Sequence, residues 1–100
     1  MTVAQTSLLA YFSIDPMKMQ TVRDRILLTI SQARRPSNAD LERLAGVRLS
    51  SVCGRVNELA KAGLIEPGGT KLDPFTRKSV RWWAITETGR EELLRIGGTL

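Results

Sequence analysis

Asn57-Glu58-Leu59-Ala60-Lys61-Ala62-Gly63-Leu64-Ile65 is the stretch on which the fold turns. Up to Ala62 it continues a helical pattern. Leu49, Val52, Val56, Leu59 and Ala60 recur at helical period on one apolar stripe, so the spacing predicts a helix from about Ser50 to Ala62, stopped by Gly63. Past Gly63 the period changes. Leu64-Ile65-Glu66 reads as a strand, and Pro67-Gly68-Gly69 and Asp73-Pro74-Phe75 read as turns. Ser79 to Ile85 is rich in strand formers, with Arg81, Trp83 and Ile85 on one face and Val80, Trp82 and Ala84 on the other. These segments make an antiparallel hairpin with a long, basic tip.

Upstream, Ser37-Asn38-Ala39-Asp40 has capping-box spacing and opens a short helix carrying Leu41, Leu44 and Ala45 inward; Gly46 suits the left-handed residue that closes it. Val47-Arg48-Leu49-Ser50 is a tight connection. Further back, Met19, Val22, Ile26, Leu27 and Ile30 form one stripe of a helix from about Lys18 to Ala33. Asp15-Pro16 and Thr21-Val22-Arg23-Asp24 are two alternative start signals, and Arg34-Arg35-Pro36 ends the helix because a residue before proline avoids helical geometry. Downstream, Thr86-Glu87-Thr88-Gly89 caps a last helix with Leu93, Leu94 and Ile96, ending at Gly97-Gly98. The expected fold is mainly α with a small β-hairpin: a three-helix core, the hairpin and a C-terminal helix over residues 16–97, preceded by an extension, residues 1–15. In the extension, Leu8, Leu9, Phe12 and Ile14 form an apolar patch that either packs on its own domain or exchanges with a second subunit.

One hundred residues are enough for one hydrophobic core and not for two. No apolar run approaches the ~20 residues that span a bilayer, and the stretch Leu8 to Phe12 lacks the basic flank and length of a secretory signal. The expectation is a cytoplasmic protein with no membrane partner. There is no histidine and a single cysteine, Cys53. The common zinc sites, an intrachain disulfide and Ser-His or Cys-His nucleophiles therefore cannot be built in one chain. Nothing in the spacing gathers the carboxylates, the lysines or Tyr11 into a catalytic site, so neither enzymatic activity nor a cofactor is expected. A net charge of +5 and a pI near 10.1 point to a polyanionic partner, a nucleic acid or an acidic membrane surface.

Asp40-Leu41-Glu42-Arg43-Leu44-Ala45-Gly46, Ser50-Ser51-Val52 and the stretch Asn57 to Ile65 together resemble the winged helix-turn-helix superfamily, in the style of small bacterial and phage regulators. Ile85-Thr86-Glu87-Thr88-Gly89-Arg90 is similar to the strand-to-helix junction after the wing in multiple-antibiotic-resistance-type regulators. The resemblance covers Thr21 to Leu94. It implies a transcriptional regulator that binds double-stranded DNA, with the third helix in the major groove and the hairpin as a wing on the backbone or minor groove. It also implies homodimerisation, although a last helix of about ten residues is a weak dimerisation element.

Independently of the resemblance, helical geometry of 3.6 residues per turn places Ser50, Ser51, Gly54, Arg55, Asn57, Glu58 and Lys61 on the outward face of the third helix. Serines at its start suit phosphate or base edges, and Arg55 suits a bidentate contact with guanine. Gly54 costs ~1 kcal/mol of helix propensity against alanine, and either admits a close backbone approach or marks a helix that reads little sequence. In the wing, Lys71, Arg77, Lys78 and Arg81 outnumber Asp73, a local excess of three positive charges.

Plainer readings stand beside these. Arg55 and Lys61 also suit a solvated helix surface, with Arg55 paired to an acidic neighbour. The wing cations also suit a hairpin tip whose charges protect a sheet edge. Arg34-Arg35 reads equally as a solvated loop or a phosphate clamp. Trp83 and Ile85 belong to the core, and Trp82 covers the wing base, packs on the N-terminal segment or joins a dimer interface. Cys53, at the stripe's edge, is a half-buried small hydrophobe. No small-molecule pocket is legible. The competing function is a phage- or replication-associated protein-interaction adaptor, which Gly54 and Glu58 on the third helix favour.

Overall fold

The computed structural model describes Pro16 and residues 19–97. Its elements are α1 (Val22–Gln32), α2 (Asn38–Ala45), α3 (Leu49–Lys61), β1 (Ile65–Leu72), β2 (Ser79–Ile85) and α4 (Glu87–Gly97). The N-terminal apolar patch, Asp15, Lys18 and Gly98 lie outside the described residues. Of the two start signals, the second opens α1: the Thr21 side chain accepts a hydrogen bond from the Asp24 N–H, and residues 19–21 are not helical. Met19 is nevertheless buried, so the apolar stripe runs on past the helix itself.

α1 is the central element, touching α2, α3, α4 and β2. Its Ile26, Leu27, Leu28 and Ile30 meet Leu41 and Ala45 of α2, Val52, Val56 and Leu59 of α3, Leu93 of α4, and Leu64, Ile65 and Trp83 in one cluster. The capping box at α2 is present in both directions: Ser37 Oγ accepts from the Asp40 N–H, and Asp40 Oδ2 accepts from the Ser37 N–H. Gly46 closes the helix with φ +65°.

Two expected core residues are not in the core. Leu44 is 46% exposed and Leu49 44% exposed. In an eight-residue helix the contact stripe is narrow, and Leu41 and Ala45, one turn apart, fill it. Leu49 begins α3 one turn before Val52, the first residue of that helix to reach the core.

The hairpin also departs from expectation at Pro67-Gly68-Gly69, which is not a turn. β1 runs straight through it by a bulge: Pro67 pairs with Trp83 and Gly69 with Trp82, leaving Gly68 extra. Proline is tolerated because β1 is the outer strand, where a missing N–H costs no ladder bond. Glycine is needed because the Trp82 ring lies on the strand, and a Cβ at Gly68 would sit 2.1 Å from it. Asp73 and its successors do make the turn. On the inner side, the Trp83 N–H donates to the Pro36 carbonyl (2.9 Å), and Ser37 bridges to Trp82. Of the three roles open to Trp82, the structure shows the first: it covers the wing base, with the Arg35 guanidinium 5.7 Å from its ring centre.

α4 is tied to the α3–β1 junction by Thr86. Its hydroxyl donates to the Gly63 carbonyl (2.6 Å) and accepts from the Gly89 N–H (3.0 Å), while its own N–H donates to the Leu64 carbonyl. A Cβ at Gly89 would lie 2.1 Å from that Leu64 carbonyl oxygen, so this close approach excludes any other residue.

Candidate nucleic-acid interface

Because Val52, Val56 and Leu59 face the core, α3 turns its opposite side outward. Ser50, Ser51, Asn57 and Lys61 are exposed there, and Gly54 and Arg55 are half-exposed. A Cβ at Gly54 would meet nothing within 4 Å, so the glycine leaves a smooth opening and not a packing contact. Arg55 is not free: its guanidinium holds Glu58 at 2.8 Å across one turn. An exposed pair of this kind contributes about 0–1 kcal/mol, so a phosphate can displace the glutamate. The start of α3 has no side-chain cap of its own. Instead a Glu42 oxygen accepts from the Leu49 N–H at 3.0 Å, placing a carboxylate from α2 at the helix N-terminus.

The wing cations divide into two kinds. Arg77, Lys78 and Arg81 are exposed and make no ion pair among the described residues. Lys71 is half-buried, and its ammonium is bound to Asp40 Oδ2 at 2.5 Å. Asp40 also accepts from Arg43 Nη2 (3.1 Å) and from the Ser37 N–H (3.1 Å). Partial burial on its own raises this carboxyl; the Lys71 ammonium, the Ser37 N–H and the Arg43 guanidinium outweigh it and hold the group at about 2. Lys71 thus fastens the wing to α2, and the local excess of charge it was expected to share falls on the other three.

α3 and the wing border one groove of about 610 Å³. Leu49, Cys53 and Asn57 line it from α3, Val80, Arg81 and Trp83 from β2, and Asn38 from the start of α2. The floor is fixed by hydrogen bonds: Trp83 Nε1 donates to Asn38 Oδ1 (2.8 Å), and Asn38 Nδ2 donates to Cys53 Sγ (3.5 Å). Cys53 is half-buried in this floor. Asn57 of the outward side of α3 and Arg81 of the wing therefore line the same groove.

No family model matches the sequence, and no curated protein matches it either. Solved structures do match. MarR from E. coli in its apo form superposes with a TM-score of 0.62 at 18% identity, over 95% of this chain and 66% of that one. The adhesin competence repressor AdcR of Streptococcus pyogenes gives 0.60 at 20% identity, over 97% and 67%. BpsR of Bordetella bronchiseptica, whose DNA binding is regulated by 6-hydroxynicotinic acid, gives 0.58 at 21%, over 96% and 74%. The fold is the MarR-type winged helix. The chain spans about two thirds of the length of the MarR structure. In winged-helix terms α2 and α3 are the helix-turn-helix and β1–β2 the wing.

Sequence reasoning missed two residues. Arg48, exposed and immediately before α3, was read only as part of a connection; a cation just ahead of an outward-facing helix was the signal. Asn38 was read as part of a cap, and only the fold brings it to Trp83 and Cys53. Among the described residues, no three or more His, Cys, Asp or Glu are grouped so as to hold a metal ion, and no helix is long and apolar enough to cross a membrane.

Proposed function

We propose that this chain is a double-stranded DNA-binding transcriptional regulator that lays the outward side of α3 in the major groove and the wing on the adjoining backbone or minor groove. One observation carries the reading: Asn57 from the polar side of α3 and Arg81, a cation of the wing with no ion pair among the described residues, stand on opposite walls of a single groove. Arg48, Ser50 and Ser51 at the start of α3 would position the helix on phosphates, and Asn57, Gly54 and a released Arg55 would approach base edges. Lys61, Arg77, Lys78 and Arg81 would supply the remaining phosphate contacts. Arg34 and Arg35 lie at the α1–α2 turn, with Arg35 engaged on Trp82. Regulation by occupying DNA needs no catalytic group.

The test is duplex binding at several salt concentrations. With about four to five phosphates neutralised, log affinity falls against log salt with a slope of roughly −4. The double variant Arg77→Ala/Lys78→Ala flattens it by about two units. Absence of duplex binding at about 50 mM salt would remove the proposal and leave the adaptor reading. The Glu58–Arg55 pair and Glu42 at the start of α3 are the observations that favour an adaptor, since both place carboxylates where phosphates would lie.

A further inference from the structure

We propose that the wing tip is a wedge: Phe75 enters the minor groove, partly unstacks one base step and kinks the bound duplex. This rests on the DNA-binding reading above and adds the mode of contact at the tip. Phe75 is 81% exposed and Leu72 61% exposed, the two most exposed large apolar side chains among the described residues.

The ring is held out by a stiff turn. Asp73, itself buried, accepts through Oδ1 from the N–H groups of Phe75 (2.8 Å) and Thr76 (3.4 Å). The Asp73 N–H donates to the Lys78 carbonyl and the Arg77 N–H to the Asp73 carbonyl, both at 2.8 Å. These bonds fix the backbone from which the Phe75 ring projects.

The ring's neighbours identify its partner. Arg77 and Lys78 flank it without acidic partners among the described residues. Arg77 stands at φ +63°, a left-handed position that favours glycine or asparagine, so a cation is kept there against backbone preference. Charges alone would suffice for a tip that only guards a sheet edge. Apolar side chains framed by cations are the composition of proteins that pry open a base step from the minor groove while holding its phosphates. β1, eight residues long, extends about 26 Å at ~3.3 Å per residue, and the minor groove, ~6 Å wide, admits a phenyl ring edge-on. On its inner side Phe75 borders a recess of about 350 Å³ beside Pro36 and Leu44, rimmed by Arg34 and Arg43. That recess leaves most of the ring uncovered.

The probe is an alternating A·T duplex of about 30 base pairs, in which every register offers an easily kinked TA step. It carries 2-aminopurine at its central TA steps and a donor–acceptor dye pair at its ends. Wild-type protein is expected to brighten the 2-aminopurine about twofold or more and bring the dyes closer, by a kink in the range of about 20–90°. Phe75→Ala abolishes both signals while keeping the salt slope, because no charge is lost; Phe75→Leu restores part of them, since leucine also serves as a wedge. The proposal is overturned if wild type binds with a steep salt slope but gives neither signal, or if Phe75→Ala still gives both. Lack of binding at every salt concentration would instead remove the regulator reading, and the wedge with it.

Discussion

At its base the wing is packed on both faces. Trp83 is buried against the core and bonded to Asn38, Trp82 lies on Gly68 and Gly69, and Lys71 is fastened to Asp40. At its tip, Leu72, Phe75, Arg77 and Lys78 are exposed. The same two strands thus serve two ends. The base joins the fold through apolar contact and one half-buried ion pair, while the tip presents charge and an aromatic ring on a turn that supports itself. Changes at the base should alter folding and leave the salt dependence of DNA binding alone, and changes at the tip should do the reverse.

The sharpest break of that division is Trp83→Ala. Removing a buried indole and its hydrogen bond to Asn38 is expected to cost about 3–5 kcal/mol, a large share of the ~5–15 kcal/mol that holds a domain of this size. Urea denaturation should show a lower midpoint at unchanged slope. An unchanged midpoint would mean that the wing base is not part of the core.

Next is Asp40→Asn, expected to cost about 1–2 kcal/mol at neutral pH because it weakens the capping box and releases Lys71. The Asp40 carboxyl is held at about 2 in the folded state, below its ordinary value of 3.8. Its contribution is therefore complete above the ordinary value and is lost as pH falls through about 2. The stability difference between wild type and variant should be flat from roughly pH 5 to 7 and close as pH approaches 2. A difference that instead widened in acid would contradict the ion-pair account. The freed Lys71 should also steepen the salt slope by up to about one unit, moving a base residue to the tip's role.

The smallest effect on folding belongs to Arg77→Gly. Glycine suits φ +63°, so stability should hold or rise by no more than about 1 kcal/mol. The salt slope should fall by about 0.9, the loss of one phosphate contact. Thermal melting paired with a salt titration checks both halves, and a clear loss of stability would show that Arg77 is structural.

Much of this division was legible in the order of residues. The hairpin was expected from the change of period after Gly63, and Trp83 was expected inside because alternation along Ser79 to Ile85 puts it opposite Trp82. The bulge at Pro67-Gly68-Gly69 was misread as a turn because proline and glycine mark both, and only the Trp82 ring on the strand distinguishes them. Leu44 and Leu49 satisfied the helical period and still face out, since a period fixes a direction around a helix and not how far along it the neighbouring element reaches. At the candidate interface, the outward side of α3 followed from geometry alone, but Glu42 at its start comes from another helix and left no trace in the spacing.

The sequence by itself determined the Ser37 and Thr86 caps, the Gly46 stop and the apolar stripes of the three core helices. These depend on hydrogen bonds and contacts within a turn or two of chain, which residue order encodes directly. Which cations are spent and which are free was decided only by tertiary structure. Lys71 meets Asp40 across 31 residues, while Arg77 and Lys78 are carried beyond the reach of any carboxylate among the described residues. A charge interacts with whatever lies within a few ångströms, and that neighbourhood exists only once the wing has folded against α2.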